Sequence, residues 1–590
     1  MTIRFAWLAL GAASVLFHVG LIFSGLVPNL ISRPVHMLLA LPWALIGTAR
    51  TRAGQVSGVI LTGLGAGACI WVAANESALG DQYGALSGAP QVAGSLVLLI
   101  VVLEMARRAI GWPLPLVATI ALAYGLLGHL IPGEFGHPGM RVESFLGTLT
   151  ITEGGIWGAL TGVSVGVVAI FVIFGAVLNA GEAGQGFMNI AGAAAGRLRA
   201  GAAKVSVIAS ALFGSISGSA SANVASTGAI TLPAMLRLGY PASLAGAVEA
   251  VASSGGQIMP PLMGAGAFVM VELIGVPYTG IMAAALLPAV LYFLAVWFGI
   301  DAYSHRHRLA PIPPDERPSW NEVVVTAGFF LVPFGVLLYG MFVGGFTPQF
   351  AACLAILAGF ALLLVDRRLR VDGRKFAQRL ETAMVGAGRQ IAVIGSIILC
   401  AAIVVGVLGI TGLGVKITSL ILSSAGGALW PALLLTALAC LILGMEVPTT
   451  AAYVICVAVA GPALIELGLE PLQAHLFVFW FALLSTITPP VCGAVFIAAG
   501  MVDESWLKVA ATSMALGVGL YLIPLAMVAN PGIIRLDGDP LGAILSAAVV
   551  AVGLALVSRS LIVPGRPLWR IGLAMGGLIV MFVRPALLAL

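Results

Sequence analysis

The chain has 590 residues, of which 60% are hydrophobic and 9% are charged, whereas an ordinary soluble domain is about 25% charged. A mean hydropathy of +1.10 and apolar runs along the whole length exclude a soluble enzyme with a terminal anchor. The net charge of +5 requires no nucleic-acid partner, because cytoplasmic loops of membrane proteins collect Lys and Arg. These quantities predict an all-α polytopic membrane protein in a lipid bilayer.

The lysines and cysteines exclude two further classes of site. None of the four lysines follows a glycine, so the chain has no Walker A loop to hold the phosphates of ATP. Each of the six cysteines lies singly in an apolar run, which fits neither a disulfide framework nor a zinc site. If the protein pumps a substrate, an ion gradient or a separate ATPase therefore supplies the energy.

Fifteen apolar stretches have roughly the 17 to 25 residues that cross a bilayer. In chain order they lie near 5–27, 35–49, 54–74, 86–104, 110–131, 157–179, 243–271, 281–300, 322–343, 347–365, 390–410, 472–500, 508–529, 541–557 and 570–588. The first is too long for the apolar core of a signal peptide, so we expect it to stay in the protein.

The positive-inside rule orients these spans. If Arg4 is cytoplasmic, the loop with Arg50 falls inside, and so do most later basic clusters, including the run 367–379. This alternation requires that two regions, about 205–240 and 414–467, each enter and leave the membrane on the same side. We therefore predict two re-entrant helical hairpins.

Residues 366–389 mix charged and apolar residues at roughly helical spacing. This pattern predicts an amphipathic helix that lies on the cytoplasmic surface of the membrane. A solvated loop is the alternative interpretation of the same pattern.

Two segments of the chain, 211–268 and 440–497, are related by a constant shift of 229 positions. The doubled prolines at 260–261 and 489–490 pair without a gap. Five predicted spans lie between the two predicted hairpins, and an odd number of crossings inverts the second copy in the membrane. Inverted repeats with Gly- and Pro-broken segments at matching positions are typical of secondary transporters.

Each copy carries two segments rich in Gly, Ser and Thr at expected hydrocarbon depth: 214–223 and 253–257 in the first, 444–450 and 485–488 in the second. Irregular backbone at that depth is tolerated only where it is buried in protein or lines a water-filled cavity. Free carbonyls and hydroxyls form a hard oxygen site suited to Na+, and half-helix N-termini facing the same cavity attract a carboxylate. Alternatively, the small residues only let helices pack closely, which is our interpretation of the glycines at 63–67.

These segments resemble the fused permease subunit of tripartite ATP-independent periplasmic (TRAP) transporters, in particular the TAXI type. The resemblance covers about 100–535 and is carried by Gly214 to Asn223, Thr231-Leu-Pro-Ala-Met235, Ala247 to Gly264, Pro448-Thr-Thr-Ala-Ala-Tyr453, Ala474-His-Leu-Phe-Val-Phe479 and Ile487-Thr-Pro-Pro490. It implies an elevator fold similar to that of the ion transporter superfamily, in which a mobile domain with two hairpins and two broken helices carries substrate and Na+. It also implies a separate periplasmic TAXI-type binding protein that delivers a small organic acid.

By this resemblance the first hairpin and the break in the helix that follows it form one Na+ site. The second hairpin and the break that follows it form another. The expected Na+ ligands are Ser217, Gly218, Asn223, Ser253, Ser254, Gly255, Gly256, Pro260, Gly444, Thr449, Thr450, Ser485, Thr486, Thr488 and Pro489. The expected substrate contacts are Ser219, Ser221, Asn223, Gln257, Thr449 and Thr450. Na+ is then the coupling ion, and no covalent cofactor is implied.

The resemblance also divides the chain into three parts. Residues 1–135 look like the small membrane subunit of such transporters and are expected to act as a scaffold, and 136–535 form the large permease region with both repeats. Residues 536–590 add two accessory spans. The chain departs from the expected motif at Glu446, whose carboxylate is expected either to help hold a cation, to favour a proton over Na+, or to reach water.

Other charged residues in the predicted spans have ordinary explanations. Glu249 and Glu272 lie in the first broken span, and both are expected to reach a membrane interface, because a charge at hydrocarbon depth is costly. His475 is expected to be a hydrogen-bonded interface residue rather than a proton carrier. Glu104 and its neighbouring arginines are expected to set the topology and to pair where the small and large parts meet.

The sequence thus predicts the permease subunit of a Na+-coupled, binding-protein-dependent transporter that imports an organic anion across a bacterial inner membrane. A stand-alone carboxylate:cation symporter is the alternative within transport, and the fused N-terminal spans favour the tripartite form. A membrane-embedded enzyme is disfavoured, because the seven histidines do not cluster with carboxylates or cysteines in a metal or nucleophile spacing. A channel is the last alternative, and two inverted hairpins favour alternating access over an open pore.

Overall fold

The computed structural model describes residues 2–444, 447–490 and 492–583. These residues form 27 α-helices joined by short loops, and the one isolated β-bridge among them joins Val365 to Val371. The prediction of an all-α polytopic membrane protein is confirmed.

The helices follow one another through the chain in three groups of nine. The first group is α1 (Thr2–Phe23), α2 (Asn29–Leu45), α3 (Arg52–Ala74), α4 (Glu76–Gly80), α5 (Gly88–Ile110), α6 (Pro113–Leu127), α7 (Val142–Thr150), α8 (Ala159–Val163) and α9 (Ala169–Ala180). The second group is α10 (Ala183–Ala195), α11 (Gly201–Ser217), α12 (Ala220–Arg237), α13 (Ala242–Gly255), α14 (Ala265–Ile274), α15 (Tyr278–His307), α16 (Trp320–Phe342), α17 (Pro348–Leu363) and α18 (Gly373–Thr411). The third group is α19 (Leu413–Ser424), α20 (Leu429–Leu443), α21 (Thr449–Glu466), α22 (Pro471–Leu484), α23 (Gly493–Val502), α24 (Trp506–Leu516), α25 (Val518–Ala529), α26 (Pro540–Ile562) and α27 (Pro567–Phe582).

Eleven helical segments of the described chain are long and apolar enough to cross a membrane. Ten of them correspond to predicted spans, and the other is α21, the second arm of the predicted second hairpin. The predicted spans near 243–271 and 472–500 are each two short helices, α13 with α14 and α22 with α23. Helices are therefore interrupted at both places where the sequence predicts a broken span.

The predicted surface helix at 366–389 is wrong as a separate element. Helix α18 runs without interruption over 39 residues, from Gly373 to Thr411. The side chain of Asp372 caps its start by accepting hydrogen bonds from two backbone N–H groups, and the left-handed Gly412 (φ +67°) ends it. Since no proline interrupts it, the helix is about 58 Å long at 1.5 Å per residue, about twice the hydrocarbon thickness of a bilayer.

The chain divides into two compact units. Unit 1 consists of Met1–Gly181, Pro333–Thr436 and Thr450–Leu467, and unit 2 consists of Glu182–Val332, Ala437–Thr449 and Gly468–Leu590. In unit 1, α18 packs against α1, α2, α5, α6 and α9. The N-terminal helices therefore share one compact unit with helices from the large permease region.

An ion pair joins the beginning of α1 to the first half of α18. Arg4 Nη2 donates to Glu381 Oε2 at 2.6 Å, and its Nε contacts the other carboxylate oxygen. The contact places the start of α1 beside the basic first half of α18. The predicted orientation, which puts Arg4 and the run 367–379 on one side of the membrane, requires this arrangement.

Glu104 pairs within the N-terminal region. Its carboxylate accepts hydrogen bonds from Arg107 and Arg108, each with a Nε to oxygen distance of 2.6 Å. Arg108 also donates to the carbonyl of Gly54 (2.8 Å). The expected ion pairs are therefore found within α5, and Arg108 connects α5 to the first turn of α3 rather than to the large permease region.

Two fully buried histidines connect α1 and α2 to the π-helical turn between α8 and α9 in unit 1. His18 Nδ1 lies 2.6 Å from the carbonyl of Ser14, His18 Nε2 lies 2.7 Å from His36 Nδ1, and His36 Nε2 lies 3.1 Å from Ser164 Oγ. Because a carbonyl only accepts, His18 Nδ1 donates to it, His36 Nδ1 donates to His18, and the hydroxyl of Ser164 donates to His36. Every ring nitrogen thus has a partner, which explains how both side chains stay buried.

In unit 2, α11, α12 and α13 pack against one another, and α13 also packs against α23 and α24. The C-terminal pair α26 and α27 packs together, with α26 against α15. Asn530 fixes this pair to the chain before it, because its Nδ2 donates to the carbonyl of Met581 (2.8 Å). The first hairpin and both breaks therefore belong to one compact unit.

The helix bounds repeat with the predicted shift of 229 positions. Helices α12 and α21 differ by 229 at both their first and last residues, and so do α13 and α22. Helices α14 and α23 differ by 228 at both ends. The hairpin arms and the halves of the broken helices thus occur in the same order and register in both copies.

Candidate ion and substrate site

The first hairpin, α11 with α12, turns over two residues. Gly218 adopts the left-handed conformation (φ +60°), and its N–H donates to the carbonyl of Gly214 (3.0 Å), which ends α11. Ser219 then caps α12, because its Oγ accepts a hydrogen bond from the N–H of Ala222 (3.3 Å). The negative end of one helix dipole and the positive end of the next therefore lie two residues apart at this tip.

Both broken helices are interrupted in a similar way. In the first, the N–H of Gly264 donates to the carbonyl of Gln257 (2.8 Å) across the loop between α13 and α14. In the second, the N–H of Ala494 donates to the carbonyl of Thr486 (3.2 Å). The doubled prolines of each break are joined by a cis peptide bond. The two copies thus close their breaks with similar hydrogen bonds, and the second loop is one residue longer than the first.

The tip of the first hairpin packs against the first break through two glycines and an asparagine. A Cβ atom on Gly214 would lie 2.5 Å from the Cα of Gly256 and 2.6 Å from Asn223 Nδ2, so only glycine permits this approach. Asn223 is fully buried, and its Nδ2 donates to the carbonyls of Ser210 (2.9 Å) and Ser253 (3.4 Å). Asn223 therefore joins α11, α12 and α13 at the break.

The two breaks also contact each other within unit 2. Thr486 Oγ1 donates to Ser254 Oγ at 2.8 Å. Its neighbour Ser485 lies against the end of α20, since a Cβ on Gly444 would lie 3.3 Å from Ser485 Oγ. Residues predicted separately from the two copies, Ser254 and Thr486, are therefore in direct contact.

Other predicted residues are placed differently. Ser221 is exposed in the first turn of α12, and Thr488 Oγ1 forms a hydrogen bond with the hydroxyl of Tyr521 (2.7 Å). Thr450 belongs to unit 1, in the first turn of α21. The predicted roles of Glu446 lie outside the described residues. The remaining candidates lie at the hairpin ends and breaks themselves: Ser217, Gly255, Gln257, Pro260, Thr449 and Pro489.

A polar cluster beside the first break was not predicted. Glu249 is fully buried in α13, so the expectation that it reaches a membrane interface is wrong. Its carboxylate accepts hydrogen bonds from five hydroxyl groups on α11, α12 and α13, which replace the water that a charged group would otherwise need. The donors are Ser206 (2.7 Å), Ser210 (3.3 Å), Ser253 (3.2 Å), Thr227 and Thr231. We call Glu249 and these five hydroxyls the hydroxyl cluster.

The carboxylate of Glu249 has no ion-pair partner in the described part of the chain. Helices α11 and α24, which both pack against α13, each carry a lysine, and each lysine forms an ion pair with a different carboxylate. Lys204 of α11 pairs with Asp301 (2.6 Å), and Lys508 of α24 pairs with Glu504 (3.2 Å). An ionised Glu249 is therefore a buried negative charge next to the oxygen atoms of the first break.

The sequence contains a signal for the hydroxyl cluster. Its members occur as pairs four residues apart, which places each pair on one face of its helix: Ser206 with Ser210, Thr227 with Thr231, and Glu249 with Ser253. The residues 229 positions later are all apolar or sulfur-containing: Leu435, Ala439, Cys456, Ala460, Val478 and Ala482. The repeated architecture forms without the cluster in the second copy, so the cluster serves a purpose particular to the first.

Oxygen atoms dominate the chemistry of the first break. The carbonyls of Ser210 and Ser253, the amide of Asn223 and the hydroxyl cluster are ligands of the kind that hard cations prefer. No group of three or more His, Cys, Asp or Glu side chains that could hold a metal ion occurs in the described residues. The arrangement therefore suits a monovalent or other hard cation better than a transition metal.

His475 and Glu272, the other two charged candidates, lie apart from these contacts. His475 is buried in α22, with 7% of its surface exposed. Glu272 is exposed on α14. Glu272 is therefore a suitable control for experiments on Glu249.

Gly214→Ala tests whether the hairpin needs its close approach to the break. The added Cβ would overlap the Cα of Gly256, so we expect a loss of about 1–3 kcal/mol in the free energy of unfolding. Gly63→Ala is the matched control, because no atom lies within 4 Å of its added Cβ and alanine favours a helix by about 1 kcal/mol. Thermal unfolding in detergent measures both, and equal stability of the two variants would contradict the packing described here.

Comparison with known proteins assigns the family. The family profile of the tripartite ATP-independent periplasmic transporter, DctM component, matches residues 97–538, about three quarters of the chain. The C4-dicarboxylate TRAP transporter large permease protein DctM of Pseudomonas aeruginosa is 26% identical over 328 residues, which are 55% of this chain and 74% of that protein. The ectoine/5-hydroxyectoine TRAP transporter large permease protein UehC of Ruegeria pomeroyi is 25% identical over 430 residues, 70% of this chain and 95% of that protein.

A third relative is the isethionate TRAP transporter permease protein DctMQ of Oleidesulfovibrio alaskensis, 26% identical over 369 residues, 62% of this chain and 57% of that protein. These relatives are permeases, which favours transport over the membrane-enzyme alternative. The matched family and the eleven candidate spans of the described chain assign the protein to the bacterial inner membrane as a multi-pass permease. The resemblance to TRAP transporters is confirmed, and the TAXI type stays a prediction. The chain belongs to the DctM component family of tripartite ATP-independent periplasmic transporters.

Proposed function

We propose that the protein imports a small organic acid together with Na+, and that a periplasmic binding protein of the TAXI type delivers the acid. The observation that carries the proposal is the meeting of three buried groups at the first break: the carbonyls of Ser210 and Ser253 and the amide of Asn223. At hydrocarbon depth such carbonyls need partners within the protein. The side-chain amide of Asn223 donates to both carbonyls, and a cation can replace it.

A small rearrangement converts this contact into a Na+ site. Asn223 Nδ2 now donates to both carbonyls. If the side-chain amide rotates by half a turn, Oδ1 takes the place of Nδ2, and three oxygens then face one point. The negative charge of Glu249, which touches the hydroxyl of Ser253, attracts a cation to that point through a medium that screens charge poorly.

We assign a second Na+ site to the corresponding break of the second copy. The hydroxyls of Ser485 and Thr486 lie there, and Gly444 at the end of α20 lies against Ser485. Thr449, which begins α21, is the further candidate from the second hairpin. Because Thr486 contacts Ser254 of the first break, occupancy of one site is expected to influence the other.

The substrate acid is assigned to the positive ends of half-helices. Ser221 Oγ lies 3.8 Å from the position of a Cβ on Gly493, so the first turns of α12 and α23 are adjacent. Two helix N-termini that lie side by side favour a carboxylate, and the hydroxyls of Ser219 and Ser221 are available to bind it. The relative from Pseudomonas aeruginosa, which is named for C4-dicarboxylates, supports an acidic substrate.

In an elevator mechanism, unit 2 is the part of this protein that we infer to move across the membrane. This unit contains the first hairpin, both breaks and the hydroxyl cluster, so one body holds the groups proposed to bind the first Na+ and the acid. Unit 1, which includes the N-terminal helices, then acts as the scaffold. A stand-alone symporter of the same architecture is the competing function, and it differs in needing no binding protein.

Asn223→Ala tests the first Na+ site. The variant removes one of three proposed oxygen ligands, so we expect the Na+ concentration for half-maximal uptake to rise about tenfold. Asn189→Ala is the control, since Asn189 donates to Thr326 Oγ1 (3.0 Å) elsewhere in unit 2. Uptake into proteoliposomes over a series of Na+ concentrations measures both variants. The same Na+ dependence in both would mean that the hairpin only packs.

Glu249→Gln tests the role of the buried charge. The variant keeps the size of the side chain and one accepting oxygen but removes the negative charge, so we expect binding of radioactive Na+ to weaken about tenfold. Glu272→Gln, the exposed carboxylate of α14, is expected to bind Na+ as the unaltered protein does. If Glu249→Gln folds and retains its Na+ affinity, the hydroxyl cluster serves only to pack the helices together.

A further inference from the structure

A groove of about 620 Å³ lies in unit 1 between the beginning of α1, the end of α2 and the first half of α18. Its walls are Arg4, Trp7, Trp43, Gly47, Glu381, Val385 and Arg389. None of these residues belongs to the proposed ion or substrate site. Volumes of about 300–1,000 Å³ are usual for small-molecule sites, so the groove is large enough for a lipid head group.

In the predicted topology the groove lies at the depth of a membrane interface. Arg389 is the residue before the predicted span 390–410, and Arg4 begins the first candidate span. In the predicted orientation both span ends, the one at Arg4 and the one at Arg389, are cytoplasmic, because the basic run 367–379 lies beside them. Tryptophan side chains collect at the interface between head groups and acyl chains, and here the rings of Trp7 and Trp43 lie 4.5 Å apart.

The groove carries an excess positive charge. Arg4 and Glu381 neutralise each other through two contacts. Arg389 is exposed, and it has no hydrogen-bond or ion-pair partner among the described residues. A guanidinium at the edge of the hydrocarbon that lacks a counter-charge in the protein favours an anion from its surroundings, and phosphate binds its planar fork of donors well.

A second unpartnered donor lies in the same groove. Trp43 is 6% exposed, and its Nε1 has no acceptor in the described structure. Gly388 makes room for the indole, because a Cβ there would lie 3.0 Å from the ring. The indole nitrogen therefore faces α18 at Gly388, immediately beside Arg389, and the ring forms an apolar wall of the groove.

We propose that this groove binds the head group of an anionic phospholipid from the cytoplasmic leaflet, with its phosphate on Arg389. Basic pockets between membrane helices on the cytoplasmic side bind such head groups. The acyl chains extend over the apolar surface of α1, where Phe5 is 69% exposed. The lipid then bridges α2, from the small-subunit-like region, and α18, from the large permease region.

The test compares lipid binding by three forms of the full-length protein: unaltered, Arg389→Gln and Arg559→Gln. Arg559 is an exposed arginine in the last turn of α26 and serves as the control. The protein is purified in detergent and titrated with phosphatidylglycerol, phosphatidylcholine or inorganic phosphate. Native mass spectrometry counts the bound lipid, and the unfolding temperature reports stabilisation.

We expect phosphatidylglycerol to bind the unaltered protein and Arg559→Gln equally, and to bind Arg389→Gln about tenfold more weakly, as the loss of a charged hydrogen bond implies. Equal affinity of Arg389→Gln would overturn the proposal. So would equal binding of phosphatidylcholine, or full stabilisation by inorganic phosphate, which would indicate a site for a soluble anion. None of these outcomes depends on which ion drives transport.

Discussion

A bilayer offers no water to a carbonyl or an N–H group, so every interruption of a helix inside it must be satisfied by the protein itself. Beside the first break one buried side chain, Asn223, donates to the carbonyl of Ser253 near the end of α13 and to the carbonyl of Ser210 on α11. The close approach of Gly214 to Gly256 makes that contact geometrically accessible. The contact of α11, α12 and α13 therefore places carbonyl and amide oxygens beside the interrupted backbone, where we propose that a cation binds.

The two copies meet this constraint with different chemistry. They share helix bounds, a similar loop closure and doubled prolines, but only the first surrounds its break with the hydroxyl cluster. At the matching positions the second copy has residues such as Val478 and Cys456 in place of Glu249 and Thr227. A duplicated backbone thus supports one break next to a buried negative charge and one that relies on hydroxyls such as those of Ser485 and Thr486. The two breaks, which are both proposed to bind Na+, are therefore chemically unlike.

Much of the fold could be predicted because its strongest signals are local. Proline and glycine interrupt helices whatever their neighbours, so the breaks and the repeat were predictable from the doubled prolines and their constant spacing. The error at 366–389 has the opposite cause: the basic stretch has a surface composition, yet nothing in its sequence stops the helix before the apolar span that follows. Composition indicates where a segment is solvated, whereas only a helix-breaking residue indicates where it ends.

The site was predictable in part for a similar reason. Asn223 and the breaks carry local polarity at hydrocarbon depth, and the sequence located them. The burial of Glu249 depends on hydroxyls contributed by two other helices. The free-energy cost expected for a lone charge in the membrane does not count the hydrogen bonds from those hydroxyls. The spacing of four between Ser206 and Ser210, and between Thr227 and Thr231, was visible in the sequence. Its meaning required knowing that these faces meet.

The measurement that tests the account most directly is uptake of a radioactive dicarboxylate into proteoliposomes, with and without an inward Na+ gradient and with and without the binding protein of the same transporter. If the breaks form the Na+ sites of a tripartite permease, uptake occurs only when both the gradient and the binding protein are present. Uptake that persists without the binding protein would indicate a stand-alone symporter. Uptake that ignores the Na+ gradient would contradict the assignment of the first break as a Na+ site.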